Sequence, residues 1–160
     1  MVESKIELDA ADIAILRVLQ TEGRISNVDL AKRVNLSPPA TLARQKRLEK
    51  QGLIDRFVAV LNRYKTGHDT LSFIQLTLSL HQHQQIHDIL DRIVAMPEVL
   101  ECHNVTGEYD YLLKVILKNT QALEAFISQK LIPMPGIARL HTSLVLKEYK
   151  SSMVLDLDEP

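Results

Sequence analysis

What the sequence lacks narrows its function first. A single cysteine, Cys102, stands among 160 residues, so no internal disulfide can form. The thiol reads as a small buried hydrophobe, and the composition fits a reducing cytosol. No run of about 18 apolar residues occurs, so no membrane span is expected. The opening stretch, MVESKIELDAAD, has no basic-then-apolar secretion pattern. Glycine-rich phosphate loops and nucleophile elbows are absent, and the histidines and carboxylates are not paired at spacings suited to acid–base work, so no enzyme is expected. His83 and His87 stand four apart, a spacing that can share a metal. No carboxylate or cysteine completes an obvious set around them and His81, and all three read as exposed polar residues. No metal and no cofactor are expected.

Charge of one sign is also lacking overall, at a net −1. Its distribution is uneven. Residues 24–56 hold eight basic side chains against three acidic ones, a net +5, whereas residues 61–160 hold nine against twelve, a net −3. A basic segment on an acidic remainder suits contact with a polyanion, although a solvated helix face would read the same way. Apolar residues make up 46% of the chain, enough for a packed core in one compact domain or two small ones.

Three helices are expected in the first third. Asp9 can cap a helix over 8–22, with Asp12 at N3 and Leu8 stapling onto Ile13, and Gly23 ends it. Ser26 and Asp29 repeat the device for a short helix, and Asn35 and Leu36 make a turn. Ser37 caps a third helix with Pro38 at N1, where a missing N–H costs nothing. It runs to Gln51 and stops at Gly52. Leu42 and Leu48 are expected inside; Thr41, Arg44, Lys46, Arg47 and Lys50 remain polar. Residues 53–61 alternate as a strand and would form a small wing. Such a short helix, tight turn and basic helix fit a helix-turn-helix, in which the last helix enters the major groove and basic side chains grip phosphates. Arg44 and Arg47 share one face, and the helix start at Ser26 offers free N–H groups to a phosphate. A three-helix packing unit with a basic surface is the plainer alternative.

Residues 62–70 read as a linker. After it the order is β-α-β-β-α-β: strands over 71–80, 99–106, 111–117 and 137–146, helices over 84–96 and 120–131. Met96-Pro97 and Met134-Pro135 each end a helix and open a strand, a weak internal repeat. This is the order of a ferredoxin-like sandwich, with both helices on one face. The other face mixes Phe73, Leu112, Ile116 and Val145 with Gln75, Thr77 and Lys114, which predicts a partner subunit over it. The turn Gly107-Glu108-Tyr109-Asp110 offers a backbone nest for a carboxylate and acidic groups for an ammonium, as a small amino acid requires. Its spacing alone fits an ordinary hairpin equally well.

The stretches LDAADIAILRVLQTEGRISNVDLAKRVNLS, RLEKQGLI, VTGEYDYLLKV and MPGI together resemble the Lrp/AsnC family of transcriptional regulators over nearly the whole length. The resemblance implies an α+β architecture: a winged helix-turn-helix over 1–61, a linker, and a ferredoxin-like effector-binding and oligomerisation domain over 71–160. It implies a homodimer, an octamer built as a tetramer of dimers, double-stranded DNA as partner, and a cytoplasmic, nucleoid-associated protein. Ser37, Pro38, Thr41, Arg44 and Arg47 carry over as DNA-facing residues; Thr41, Arg44 and Arg47 read as base contacts, Gln45 beside them as either a further polar DNA contact or a loosened packing position, and Ser26, Lys32 and Arg33 as phosphate contacts. Gly107 and Asp110 carry over as effector-binding residues, with Val105, Thr106, Glu108 and Tyr109 as neighbours. Two positions depart from the family pattern: Gln45 replaces an apolar residue in the recognition helix, and Glu108 replaces an aspartate. The expected effector is a small amino acid, leucine or methionine. The alternative is a chromatin-organising protein without an effector.

Overall fold

A computed structural model describes residues 6–79 and 83–157, His83 by its backbone only. They form two compact units. One comprises the chain up to Val60 together with the segment from Lys150 on; the other is Leu61–Tyr149. The terminal segment, expected to belong with the second domain, therefore packs with the first.

In the first unit the local signals act as expected. Helix α1 spans Ala10–Thr21, and Asp9 and Asp12 exchange both bonds of a capping box. Helix α2 spans Asn27–Arg33 with Ser26 accepting from the Asp29 N–H. The turn after it needs a positive φ, and Asn35 supplies it at 54°, a conformation that asparagine tolerates better than most residues. Helix α3 spans Pro38–Lys50, capped by Ser37. Ile15, Leu16, Leu19, Leu30 and Leu48 form the core of this unit.

Two expectations fail here. Residues 53–61 make no strand ladder; this stretch instead lines a cleft together with Met153, Leu155 and Leu157. Phe57, Val58, Val60 and Leu61 are left exposed. On α3, Thr41 rather than Leu42 faces inward: Thr41 is fully buried and Leu42 is 41% exposed. Positions 41, 44, 45 and 48 share one helix face. A buried threonine is tolerated there because its hydroxyl donates to the Ser37 carbonyl at 3.1 Å.

The second unit follows the expected order. Strands β1 (Thr70–Leu78), β2 (Val99–Asn104), β3 (Tyr111–Leu117) and β4 (Ile137–Leu144) join helices α4 (His83–Val94) and α5 (Thr120–Phe126). The sheet order is β2-β3-β1-β4, antiparallel throughout. Ile74, Leu76, Leu113 and Val115 meet Ile89, Ile93, Leu123 and Phe126 in one core. Half-buried Cys102 packs against it, and burial pushes its thiol pKa up. Helix α5 runs on into a five-residue π-turn, Ile127–Leu131, closed by the Ile132 N–H on the Ile127 carbonyl. This wider turn lets Phe126 and Leu131, five apart, both enter the core. Phe73, Gln75, Leu112, Lys114 and Ile116 are half-buried on the opposite face, and the register sets Phe73 against Lys114 and Gln75 against Leu112. Among the described residues no helix is long and apolar enough to cross a membrane, and no three metal-ligating side chains cluster. His81 and the side chain of His83 lie outside them.

Candidate nucleic-acid interface and ligand-binding turn

The candidate DNA-facing residues divide into three groups. The first holds the motif together. The Ser26 hydroxyl donates to the Asp29 carboxylate at 2.7 Å while accepting its N–H. Asn27 donates to the carbonyl of exposed Pro38 at 2.9 Å, tying α2 to the start of α3. Ser37 caps α3, and Thr41 is interior. Thr41 is thus a packing residue and not a reader of base edges, a correction to the sequence-based expectation.

The second group is engaged by α1. Arg44 reaches Asp9 at 2.7 Å and Asp12 at 2.8 Å, and Arg47 pairs with the other oxygen of Asp12. The Asp12 side chain is only 2% exposed, against 30% for Arg44 and 47% for Arg47. A carboxylate at the start of α1 thereby clamps the basic helix in place, and its buried oxygens are satisfied by two guanidiniums. Hydrogen bonding from the Asp12 N–H and then Arg44 holds the Asp9 carboxyl below the usual carboxylate range, and those same carboxylates push the Arg44 pKa up. Sequence spacing placed Arg44 and Arg47 on one face but gave no sign of partners more than thirty residues upstream. Arg33 pairs similarly with Glu22.

The third group lies open. Lys46 and Lys50 are exposed and make no ion pair with any described residue. Lys32 is 3.5 Å from Asp29 but its side chain is 73% exposed. Gln45, the departure from the family pattern, stands apart from these lysines: it is half-buried and donates to Glu49 at 2.9 Å, one turn along the helix.

In the second unit the turn over 105–110 folds across the end of β1. The Asp110 N–H donates to the Leu76 carbonyl at 2.9 Å, and one oxygen of the Asp110 carboxylate accepts from the Leu78 N–H at 2.9 Å. Its other oxygen has no partner among the described residues. The Val105 N–H and the Asn104 side chain both donate to the Asp110 carbonyl. Gly107 has φ +123°, and a Cβ there would meet nothing within 4 Å, so the glycine serves backbone conformation alone. Thr106, Gly107 and Glu108 are exposed; Val105, Tyr109 and Asp110 are half-buried. Two residues on β4 join the turn: Arg139 pairs with Glu108 at 2.8 Å, and the ring of His141 lies 6.1 Å from that of Tyr109. Both stand on the sheet face away from the helices, opposite Thr77 and Gln75 of β1. Strand register alone brings them there, so sequence reading missed them. The arrangement sets a carboxylate oxygen, backbone donors and a cation–anion pair around one turn, chemistry that can hold a zwitterion.

Comparison with known proteins agrees with both halves. Residues 8–55 match the model of a winged helix-turn-helix DNA-binding domain, and residues 71–155 match the Lrp/AsnC ligand binding domain. The chain is 37% identical to the transcriptional regulator AzlB of Bacillus subtilis, covering 96% of this chain and 98% of that one. It is 38% identical to the leucine-responsive regulatory protein of Escherichia coli, covering 95% of each. Among solved structures, a transcriptional regulator of Neisseria meningitidis in complex with L-methionine superposes with a TM-score of 0.92 at 36% identity, covering 95% of this chain and 98% of that one. An AsnC family regulator of Agrobacterium tumefaciens superposes at 0.89 with 28% identity, covering 93% of this chain and 97% of that one. These relatives are regulators and not enzymes. The chain belongs to the Lrp/AsnC family: it is a DNA-binding transcriptional regulator with an N-terminal helix-turn-helix and a C-terminal ligand-binding domain.

Proposed function

We propose that this regulator reads its operators as a homodimer or a tetramer of dimers on the nucleoid, and that a small apolar amino acid, methionine or leucine, controls its assembly or its grip on DNA. The likeness to a regulator bound to L-methionine is the single observation that supports the ligand class best. The open carboxylate oxygen of Asp110 suits the ammonium of such a ligand, and the N–H groups around Gly107 suit its carboxylate. Lys46, Lys50, Lys32 and Arg33 supply phosphate contacts, with Ser26, Ser37 and Pro38 presenting the helix starts. Arg44 and Arg47 orient α3 through Asp12, and Arg47, the more exposed, also reaches outward. The half-buried sheet face around Phe73, Leu112 and Ile116 supports self-association.

Calorimetric titration of the protein with each of the twenty amino acids tests this reading. Binding of methionine or leucine, lost on Asp110→Ala with the fold retained, is the expected result. Saturable binding of neither would refute the effector class, and DNA footprints unmoved by every amino acid would favour the chromatin-organising alternative.

A further inference from the structure

The C-terminal segment is read by α1 through its backbone. Gln20 takes Leu155 from both sides: its amide donates to the Leu155 carbonyl at 3.1 Å and its side-chain oxygen accepts the Leu155 N–H at 2.7 Å. One turn earlier on the helix, Arg17 donates to the Leu157 carbonyl at 2.7 Å. In extended chain, residues two apart turn the same backbone edge outward. Gln20 and Arg17 thus imitate the edge of a neighbouring strand, with side chains spaced three along a helix in place of backbone groups. Leu157 packs against the Ile15, Leu16 and Leu19 core, whereas Leu155 is 70% exposed and is held by its backbone instead.

We propose that this face of α1 is a docking surface for an extended peptide, that its occupant is the chain's own segment 154–157, and that docking governs DNA affinity. The chain passes between the two units after Val60 and again after Tyr149. With the segment docked, the reading unit is joined to the ligand-binding domain by two chain passages; undocked, by one. The second passage continues directly from β4, the strand that carries Arg139 and His141 beside the ligand-binding turn. It ends on α1, the helix whose Asp12 clamps Arg44 and Arg47. The docked segment is therefore an element with two states, attached at one end to the ligand-binding strand and at the other to the helix that positions the recognition helix. Restricting the reading unit in this way lowers the ordering cost of placing two such units on one duplex. The inference rests on the DNA-reading role of α3 and is independent of which amino acid binds.

The test uses full-length protein and two variants that leave the core intact. Gln20→Ala removes both bonds to Leu155; Leu155→Pro removes the N–H that Gln20 accepts, at an exposed side chain. Amide hydrogen exchange is followed at residues 153–157, and affinity is measured for the duplex that the wild-type protein enriches from a random-sequence library. The wild-type Leu155 amide should exchange about tenfold or more slowly than in an unstructured peptide, with protection lost in Gln20→Ala. Both variants should bind the duplex about fivefold or more weakly, the low end of measured couplings, with unchanged melting of the ligand-binding domain. Unprotected exchange at Leu155 in the wild type would overturn the docking, and wild-type affinity in both variants would overturn its control of binding. A wild-type protein that enriches no duplex would instead defeat the DNA-reading role itself.

Discussion

Asp12 at the start of α1 and Arg44 on the recognition helix meet at 2.8 Å, with the carboxylate 98% withdrawn from solvent. The contact converts a charge on the surface of one helix into the device that fixes the rotation of another. It also divides the basic residues of α3: Arg44 and Arg47 face the clamp, Lys46 and Lys50 face outward.

Removing the clamp carboxylate should be costly. Asp12→Ala leaves two guanidiniums facing a vacated buried site, and since both arginines reach solvent the loss is set at about 1–3 kcal/mol rather than at the full cost of a buried ion pair. Thermal denaturation should show the first unit melting earlier, and DNA affinity should fall although Asp12 itself is buried. A variant as stable as wild type would mean that the arginines repack without it.

Acid should loosen the same corner. The Asp9 carboxyl, held low by the Asp12 N–H and by Arg44, has a folded pKa beneath its unfolded one. Its stabilising contribution is therefore complete at neutral pH and is lost as pH falls below the ordinary carboxylate range through the depressed value. The same sign holds for Asp29, lowered by the Ser26 hydroxyl and then by Lys32. Urea titrations of wild type and Asp9→Asn should converge at low pH and differ near neutrality; a constant difference would point to some other origin.

A pair of leucines on α3 checks the corrected helix face. Leu48→Ala, at a fully buried site, should cost about 2–5 kcal/mol, whereas Leu42→Ala, at a site 41% exposed, should cost less than about 1 kcal/mol. Equal losses in denaturant midpoint would restore the inward-facing Leu42.

The ligand-binding turn offers a separation of stability from response. Arg139 and Glu108 are 60% and 69% exposed, so Arg139→Ala should change stability by less than about 1 kcal/mol while altering amino-acid affinity. Gly107→Ala should instead destabilise by roughly 1 kcal/mol or more, since alanine resists a φ of +123° even with open space around it. Calorimetric titration together with urea melts distinguishes the two; an Arg139→Ala protein with wild-type ligand affinity would remove that residue from the site.

Lys46→Ala together with Lys50→Ala should weaken DNA binding at every sequence and flatten its salt dependence by about two counterions. An unchanged slope of affinity against salt would place the phosphate contacts elsewhere.

What was legible in the chain was what local chemistry dictates. Asp9 with Asp12, Ser26 with Asp29, and Ser37 with Pro38 start three helices because each pair satisfies free N–H groups within one turn. Strand alternation and the Met-Pro stops laid out the second domain in the same way. Tertiary structure alone decided the rest, because the deciding bonds span the chain. Arg44 finds Asp12 across 32 positions, Arg139 finds Glu108 across 31, and Gln20 finds Leu155 across 135. Periodicity says which residues share a face, but only packing says which face is buried. It therefore put Thr41 inside and Leu42 out, engaged Arg44 and Arg47 with the start of α1, and seated residues 155–157 on that same helix.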